Sequence, residues 1–191
     1  MYINFLLLAA AALLIAYIVF RVIIKRVYSK HLRLTPVFTI LEILALAIQI
    51  SLFYVAVPTK MPYLPPLPEN LAIIIISGII FGIGIIGLLI SWFGLGTKPS
   101  LGMDKNKLKT GGLYKYSRNP QLVAFSLIEA SFTILYFSYL VLIWFLLYIT
   151  IAYFMIKSEE EFLDQKYKEE YRDYCKQVPR IMKFKTSSKK K

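Results

Sequence analysis

The chain has 191 residues, 58% of them hydrophobic, with a mean hydropathy of +0.60 and a formal charge of +12. That balance excludes an ordinary soluble domain, and the length leaves room for one compact unit rather than two. Apolar runs this continuous satisfy their own backbone hydrogen bonds in lipid only as helices. The expected class is therefore an all-α polytopic membrane protein with about five transmembrane helices and a cytoplasmic C-terminal amphipathic helix.

A hydrocarbon core of ~30 Å calls for about 20 apolar residues per helix. The first such run covers 3–24 and is broken only by Arg21, placed where its long stem can carry the charge to the headgroups. No basic segment precedes it, whereas Arg21, Lys25, Arg26, Lys30 and Arg33 fall within or after its end, which suits an anchor that stays rather than a cleaved leader. The second run is 36–57, followed by a polar, proline-rich loop from Pro58 to Asn70 and a third run at 71–93. After a basic loop at 94–119, two further spans at 120–136 and 139–156 share a tight turn near Tyr136 to Tyr139. Beyond them a helix is predicted over 157–178, and 183–191 is a basic tail outside the single domain 1–182.

Lys and Arg are retained on the cytoplasmic side of a membrane. The loop after the first span, the loop 94–119 with Lys98, Lys105, Lys107, Lys109, Lys115 and Arg118 against Asp104, and the tail ending Lys189-Lys190-Lys191 are all basic. Five spans with the N-terminus outside place each of them in the cytoplasm, together with the C-terminus. The net charge then reflects topology and attraction to anionic lipid, worth roughly 1 kcal/mol per basic residue near the surface, and not a nucleic-acid partner.

His31 and Cys175 are each the only residue of their type, so neither a disulfide framework nor a metal-ligand spacing is present, and no histidine accompanies a nucleophile as a triad requires. Gly82, Gly84 and Gly87 lie within an apolar span, where glycine more often admits a neighbouring helix than a phosphate. Glu42, Gln49 and Glu129 stand at membrane depth, where an ionised acid costs from ~2.5 kcal/mol upward. Glu42 and Gln49 are two helical turns apart and share a face. They suit either an interhelical hydrogen-bond contact or acid–base work on a head group, and spacing alone does not choose.

Two segments concentrate chemistry. Gly112-Leu113-Tyr114-Lys115-Tyr116-Ser117-Arg118-Asn119-Pro120 brings glycine, tyrosines, an arginine and a helix-starting proline to the edge of a span. Glu159-Glu160-Glu161 opens a second, in which Glu159, Leu163, Tyr167 and Tyr171 recur every four residues and form one stripe of a helix. Acids at a helix start gain ~0.3 to 1 kcal/mol from the macrodipole, but this explanation weakens if the fifth span runs on through them.

In these segments the chain resembles the isoprenylcysteine carboxyl methyltransferase and phospholipid methyltransferase superfamily of integral membrane enzymes. Gly112, Tyr114, Arg118 and Pro120 match its Gly-x-Tyr-x-x-x-Arg-His-Pro-x-Tyr element at the same spacing. Glu159-Glu160, Leu163, Tyr167, Tyr171, Tyr174 and Val178-Pro179-Arg180 match its C-terminal element. The resemblance covers roughly the C-terminal half, with Asn119 in place of the usual His, Leu122 of Tyr, Lys168 of Gly, and Met155 where prenylcysteine enzymes tend to carry an arginine.

The resemblance implies S-adenosylmethionine as methyl donor, bound by Tyr114, Asn119, Pro120 and Glu159. Gly112, Tyr116 and Glu160 are expected in the same donor site, with the acids accepting from the ammonium and ribose and Tyr114 and Tyr116 lining the adenine or the sulfonium. Arg118 and Arg180 are expected near the acceptor head group, Arg118 alternatively as a phosphate anchor. The acceptor implied is lipophilic: a prenylcysteine-type carboxylate or thiol, or a phospholipid amine. An NADPH-dependent reductase of the sterol reductase type, which shares an Arg-His-Pro element, and a non-enzymatic lipid-binding protein are the competing readings.

Overall fold

The computed structural model describes residues 2–31, 36–57, 59–60, 62–95, 108 and 110–182, and among them every regular element is a helix. Arg33, Asp104, the lysines 98, 105, 107 and 109 of the basic loop, and the tail 183–191 lie outside the described residues.

Helix α1 (Tyr2–Tyr17) passes through a π-helical stretch, Ile18–Ile24, into α2 (Lys25–His31), so the first span is one continuous rod from Tyr2 to Lys30. Phe5, Ala9, Ala12 and Ala16 are its buried face. Lipid is as apolar as leucine and gives helices no hydrophobic reason to associate, so small residues that allow close van der Waals contact make the interface. The π-stretch has a visible cause. The Phe20 carbonyl accepts both the Lys25 N–H and the buried Ser158 hydroxyl (2.7 Å), while Arg21 turns toward Ser158 (3.2 Å) and Glu161 (2.9 Å).

Helix α3 (Pro36–Ser51) breaks at Leu52 and resumes as the short α4 (Phe53–Ala56). Helix α5 (Leu71–Leu95) starts on an Asn70 cap, whose side-chain oxygen accepts the Ala72 N–H at 3.0 Å. Helix α6 (Pro120–Leu135), with proline at its first position, runs back along α5. The two approach closely because Gly84 has no side chain. A Cβ there would stand 2.8 Å from the Ile128 side chain and 2.9 Å from the Ala124 carbonyl. Gly78 and Gly82 have nothing within 4 Å, and with Ile75, Ile79 and Ile86 they belong to a face left to lipid.

Helix α7 (Tyr139–Tyr167), capped by Ser138, packs on α1 and carries Tyr148, whose hydroxyl donates to the Leu122 carbonyl at 3.0 Å in the first turn of α6. Among the described residues four helices are long and apolar enough to cross a membrane, and α6 is shorter, about 24 Å at 1.5 Å per residue. The stretch expected as one helix over 157–178 is divided. Helix α7 continues to Tyr167, and α8 (Glu169–Gln177) begins only after Lys168, which has φ 47° and ψ −118°. The triplet of acids is therefore in mid-helix and not at a helix start.

Inside the bundle, Gln49 donates to Glu129 (3.1 Å) and to the Trp144 carbonyl (3.4 Å), and the Trp144 indole donates to the Gln49 carbonyl (2.9 Å). This fastens α3, α6 and α7 together. Of the two residues expected on one face of α3, Gln49 is fully buried and Glu42 partly so.

Candidate functional site

The segment before α6 is shaped by residues that ordinary helix or strand would not accept. Gly112 has φ +59°, a left-handed conformation that costs glycine little, and it opens a 3-10 turn through Lys115. Ser117 is buried and uses its hydroxyl twice, accepting the Asn119 N–H (3.1 Å) and donating to the Arg180 carbonyl (3.4 Å). Asn119 sits at the N-cap of α6, yet its side chain makes no cap and donates instead to the Arg180 carbonyl at 2.9 Å. A residue suited to closing a helix is thus diverted to hold the strap Val178–Arg180. The strap is bound a third time, where the Arg118 N–H donates to the Pro179 carbonyl at 3.0 Å.

Charge gathers on the same spot. Arg118 Nη1 lies 3.0 Å from Glu160 and donates to the Tyr171 hydroxyl (3.1 Å) and the Cys175 sulfur (2.8 Å). Arg180 binds both oxygens of the same carboxylate, donating from Nε at 3.0 Å to the oxygen that faces Arg118 and from Nη2 at 2.6 Å to the other. Arg118 and Glu160 are each 14% exposed at the side chain, and Arg180 is 42% exposed. The pair of guanidiniums and one carboxylate leave a surplus of positive charge, and the buried Arg118 Nε–H has no partner. The hydrogen bond from Arg180 to Glu160 raises the arginine's affinity for its proton further.

A shell of tyrosines closes the cluster. Tyr174 donates to the Tyr114 carbonyl at 2.6 Å, and burial pushes its phenol up to about 12. Burial also raises the Tyr114 phenol, assisted by the charge of Glu159 and by Tyr174. Tyr171 is raised by burial and by Glu160, against the opposing pull of Arg118. All of these phenols remain neutral donors at physiological pH. Tyr171, Tyr174 and Val178 pack with Leu108, Leu163, Tyr167 and Cys175 into a small apolar core separate from the main one.

Of the residues expected to form a site, Arg118, Asn119, Glu160 and Arg180 are joined by hydrogen bonds or ion pairs, and the Tyr114 carbonyl accepts from Tyr174, whose ring lies 6.3 Å from that of the Arg118 partner Tyr171. Gly112 and Pro120 bound the segment, and Glu159 lies within electrostatic reach of Tyr114. Tyr116 does not join them, because the 3-10 turn directs it outward and leaves it 54% exposed. Glu160 is committed to arginines rather than open to an ammonium. Ser117 and Cys175 carry contacts that composition did not reveal. The four-residue spacing of Tyr171 and Cys175 does place both on one side of α8, and that signal was present in the sequence.

At the same end of the bundle, Glu161 pairs with Arg21 and Lys25, each at 2.9 Å, and Tyr28 stacks on Phe162 with centroids 4.3 Å apart. The first span is thereby tied to the acidic end of α7. No curated protein and no solved structure matches the chain. The phospholipid methyltransferase family matches residues 71–170, more than half of the 191 residues, and that range contains the Gly112–Pro120 segment and the Glu159–Glu160 pair. A bundle of apolar helices whose matched half holds both of these segments belongs to an integral membrane protein, and this chain is a member of the phospholipid methyltransferase family.

Proposed function

We propose that the chain uses S-adenosylmethionine to methylate a lipophilic acceptor delivered from the bilayer. The observation that carries this reading is the Arg118–Glu160–Arg180 cluster, through which two segments distant in sequence become one site. The groups present suit the donor. Glu159 offers an acceptor for its ammonium, the aromatic face of Tyr114 suits a cation, and the unpartnered Arg118 Nε–H can receive a carboxylate. Asn119 and Pro120 hold the chain at the start of α6, against which the donor would rest.

The bound donor would supply an electrophilic methyl carbon. The protein's part is to hold the two reactants in line and to keep water out, which requires no covalent intermediate and no triad. The tyrosine shell and the strap are the parts that exclude water. Among acceptors, the amine of a phospholipid is favoured. Arg118 and Arg180 already meet Glu160, and Met155 offers no cation to a substrate carboxylate. Exposed Lys25, Arg26, Lys30 and Lys115 suit anionic lipid headgroups on the cytoplasmic side, with the N-terminus outside.

Incubation of the purified protein with labelled S-adenosylmethionine and total membrane lipids tests this reading. Label in a lipid amine is expected. Binding of NADPH in place of the donor would favour a reductase, and the absence of both would leave a lipid-binding protein.

A further inference from the structure

The adjacent acids Glu159 and Glu160 have different surroundings. Both oxygens of Glu160 are occupied, one facing Arg118 and Arg180 Nε, the other facing Arg180 Nη2. Glu159, its neighbour about 100° round the helix, lies within electrostatic reach of both Tyr114 and Tyr28. Arg180 ends a strap whose backbone is held by Arg118, Ser117 and Asn119, so the ion pair and three hydrogen bonds converge on the same few residues.

The strap is reached through Lys168, the only non-glycine with positive φ among the described residues. A side chain in that conformation costs of order 1–3 kcal/mol and persists only where contacts on either side hold it. Those contacts are visible. Arg172 bridges the break, to Asp164 at 3.0 Å on α7 and to Glu169 at 3.0 Å on α8, and Tyr174 and Arg180 fasten the far end. Helix α8 and the strap therefore form an arm bent at Lys168 and latched at its tip.

We propose that Glu160 is a positioning residue: it latches the C-terminal strap over the start of α6 through Arg180, while Glu159 is the acid that meets the donor. The assignment of Glu159 rests on the proposed function; the latch does not. Arg180 is the part of the latch most open to solvent, so this is where the arm releases to pass a soluble donor.

Hydrogen exchange of the full-length protein in lipid nanodiscs, without any ligand, tests the latch. The reporter is the Arg118 amide, whose acceptor is the Pro179 carbonyl. Glu160→Gln is expected to speed its exchange by about tenfold or more, the effect of losing one charge-assisted hydrogen bond. Glu159→Gln is expected to leave it within about twofold. Peptides from α5 and α6 should exchange as in the parent, which separates release of the strap from misfolding. If Glu160→Gln does not fold, Arg180→Gln breaks the same pair from its exposed side. Unchanged exchange at Arg118 in the folded variant, or equal acceleration by Glu159→Gln, would overturn the latch. The donor roles are read separately with S-adenosylhomocysteine. Weakened binding in Glu159→Gln with a protected strap supports the division of labour, and weakened binding in Glu160→Gln with a protected strap makes Glu160 a direct ligand and overturns it. Failure of the parent protein to bind would remove the donor reading and leave the exchange result standing.

Discussion

Two of the polar clusters in this apolar bundle are built to different ends. Gln49, Glu129 and Trp144 lie inside it, at most a few per cent exposed, and connect α3, α6 and α7 by contacts that no solute can reach. The Arg118, Glu160 and Arg180 cluster lies at one end, joins a pre-helical loop, a long helix and a strap, and leaves Arg180 42% exposed. The inner cluster leaves the Gln49 and Glu129 Oε1 atoms without partners, and the outer one leaves the Arg118 Nε–H. Enclosed polar contacts of the first kind fix helices relative to one another. A charge surplus at a solvent-reachable edge can also bind something, and this makes the outer cluster the candidate for chemistry.

The comparison can be broken most severely at Arg118. Arg118→Ala removes the Glu160, Tyr171 and Cys175 contacts and the Nε–H offered to the donor at once, and methyl transfer should fall by about 10- to 100-fold, as for loss of a hydrogen bond to a charged group worth ~1.5 to 3 kcal/mol. A rate assay with labelled donor reads it.

The helix pair that carries Arg118 should be nearly as sensitive. Gly84→Ala forces a Cβ to within 2.9 Å of the Ala124 backbone carbonyl, and about 1 to 3 kcal/mol of stability should be lost in thermal unfolding. Gly82→Ala, on the lipid face with open space around it, should cost nothing and can gain from better helix propensity.

At the inner cluster a smaller effect is expected. Glu129→Ala should destabilise by about 1 kcal/mol, because hydrogen bonds between membrane helices are individually weak, whereas Glu129→Gln keeps a hydrogen-bonding group beside Gln49 and should lose less. Neither should change the affinity for donor, and a change would mean that the inner cluster belongs to the site.

The smallest effect is one of pH. The Tyr174 phenol is raised from its ordinary 10 to about 12, so folding favours its protonated form. That contribution is complete below about pH 10 and fades as pH rises toward 12, steepening alkaline unfolding. Tyr174→Phe should flatten the slope in that window, and an unchanged slope would mean that the phenol is not buried as the fold places it.

Much of the frame was legible because its signals are local. Apolar runs marked the spans, and Pro120 marked the start of α6. The division of α7 from α8 was half legible: the related element has glycine where Lys168 stands, but lysine itself has no turn-forming character, and its conformation is held with the help of the Arg172–Asp164 ion pair and the fastening of Tyr174. The separation of Glu159 from Glu160 was not legible, because it depends on where Arg180 returns, 20 positions along the chain. The π-stretch at Ile18–Ile24 exists because Ser158, far away in sequence, claims the Phe20 carbonyl. The partner of Arg21 there, Glu161, is 140 residues away in sequence and could not be foreseen from the first span alone.

The central claim is that the Gly112–Pro120 segment and the end of α7 together bind a methyl donor. Isothermal calorimetry of the purified protein with S-adenosylhomocysteine tests it most directly. The account predicts saturable binding that Glu159→Gln weakens by about tenfold, as expected for one charge-assisted contact. No detectable heat of binding at millimolar ligand, or binding indifferent to Glu159→Gln, would contradict it.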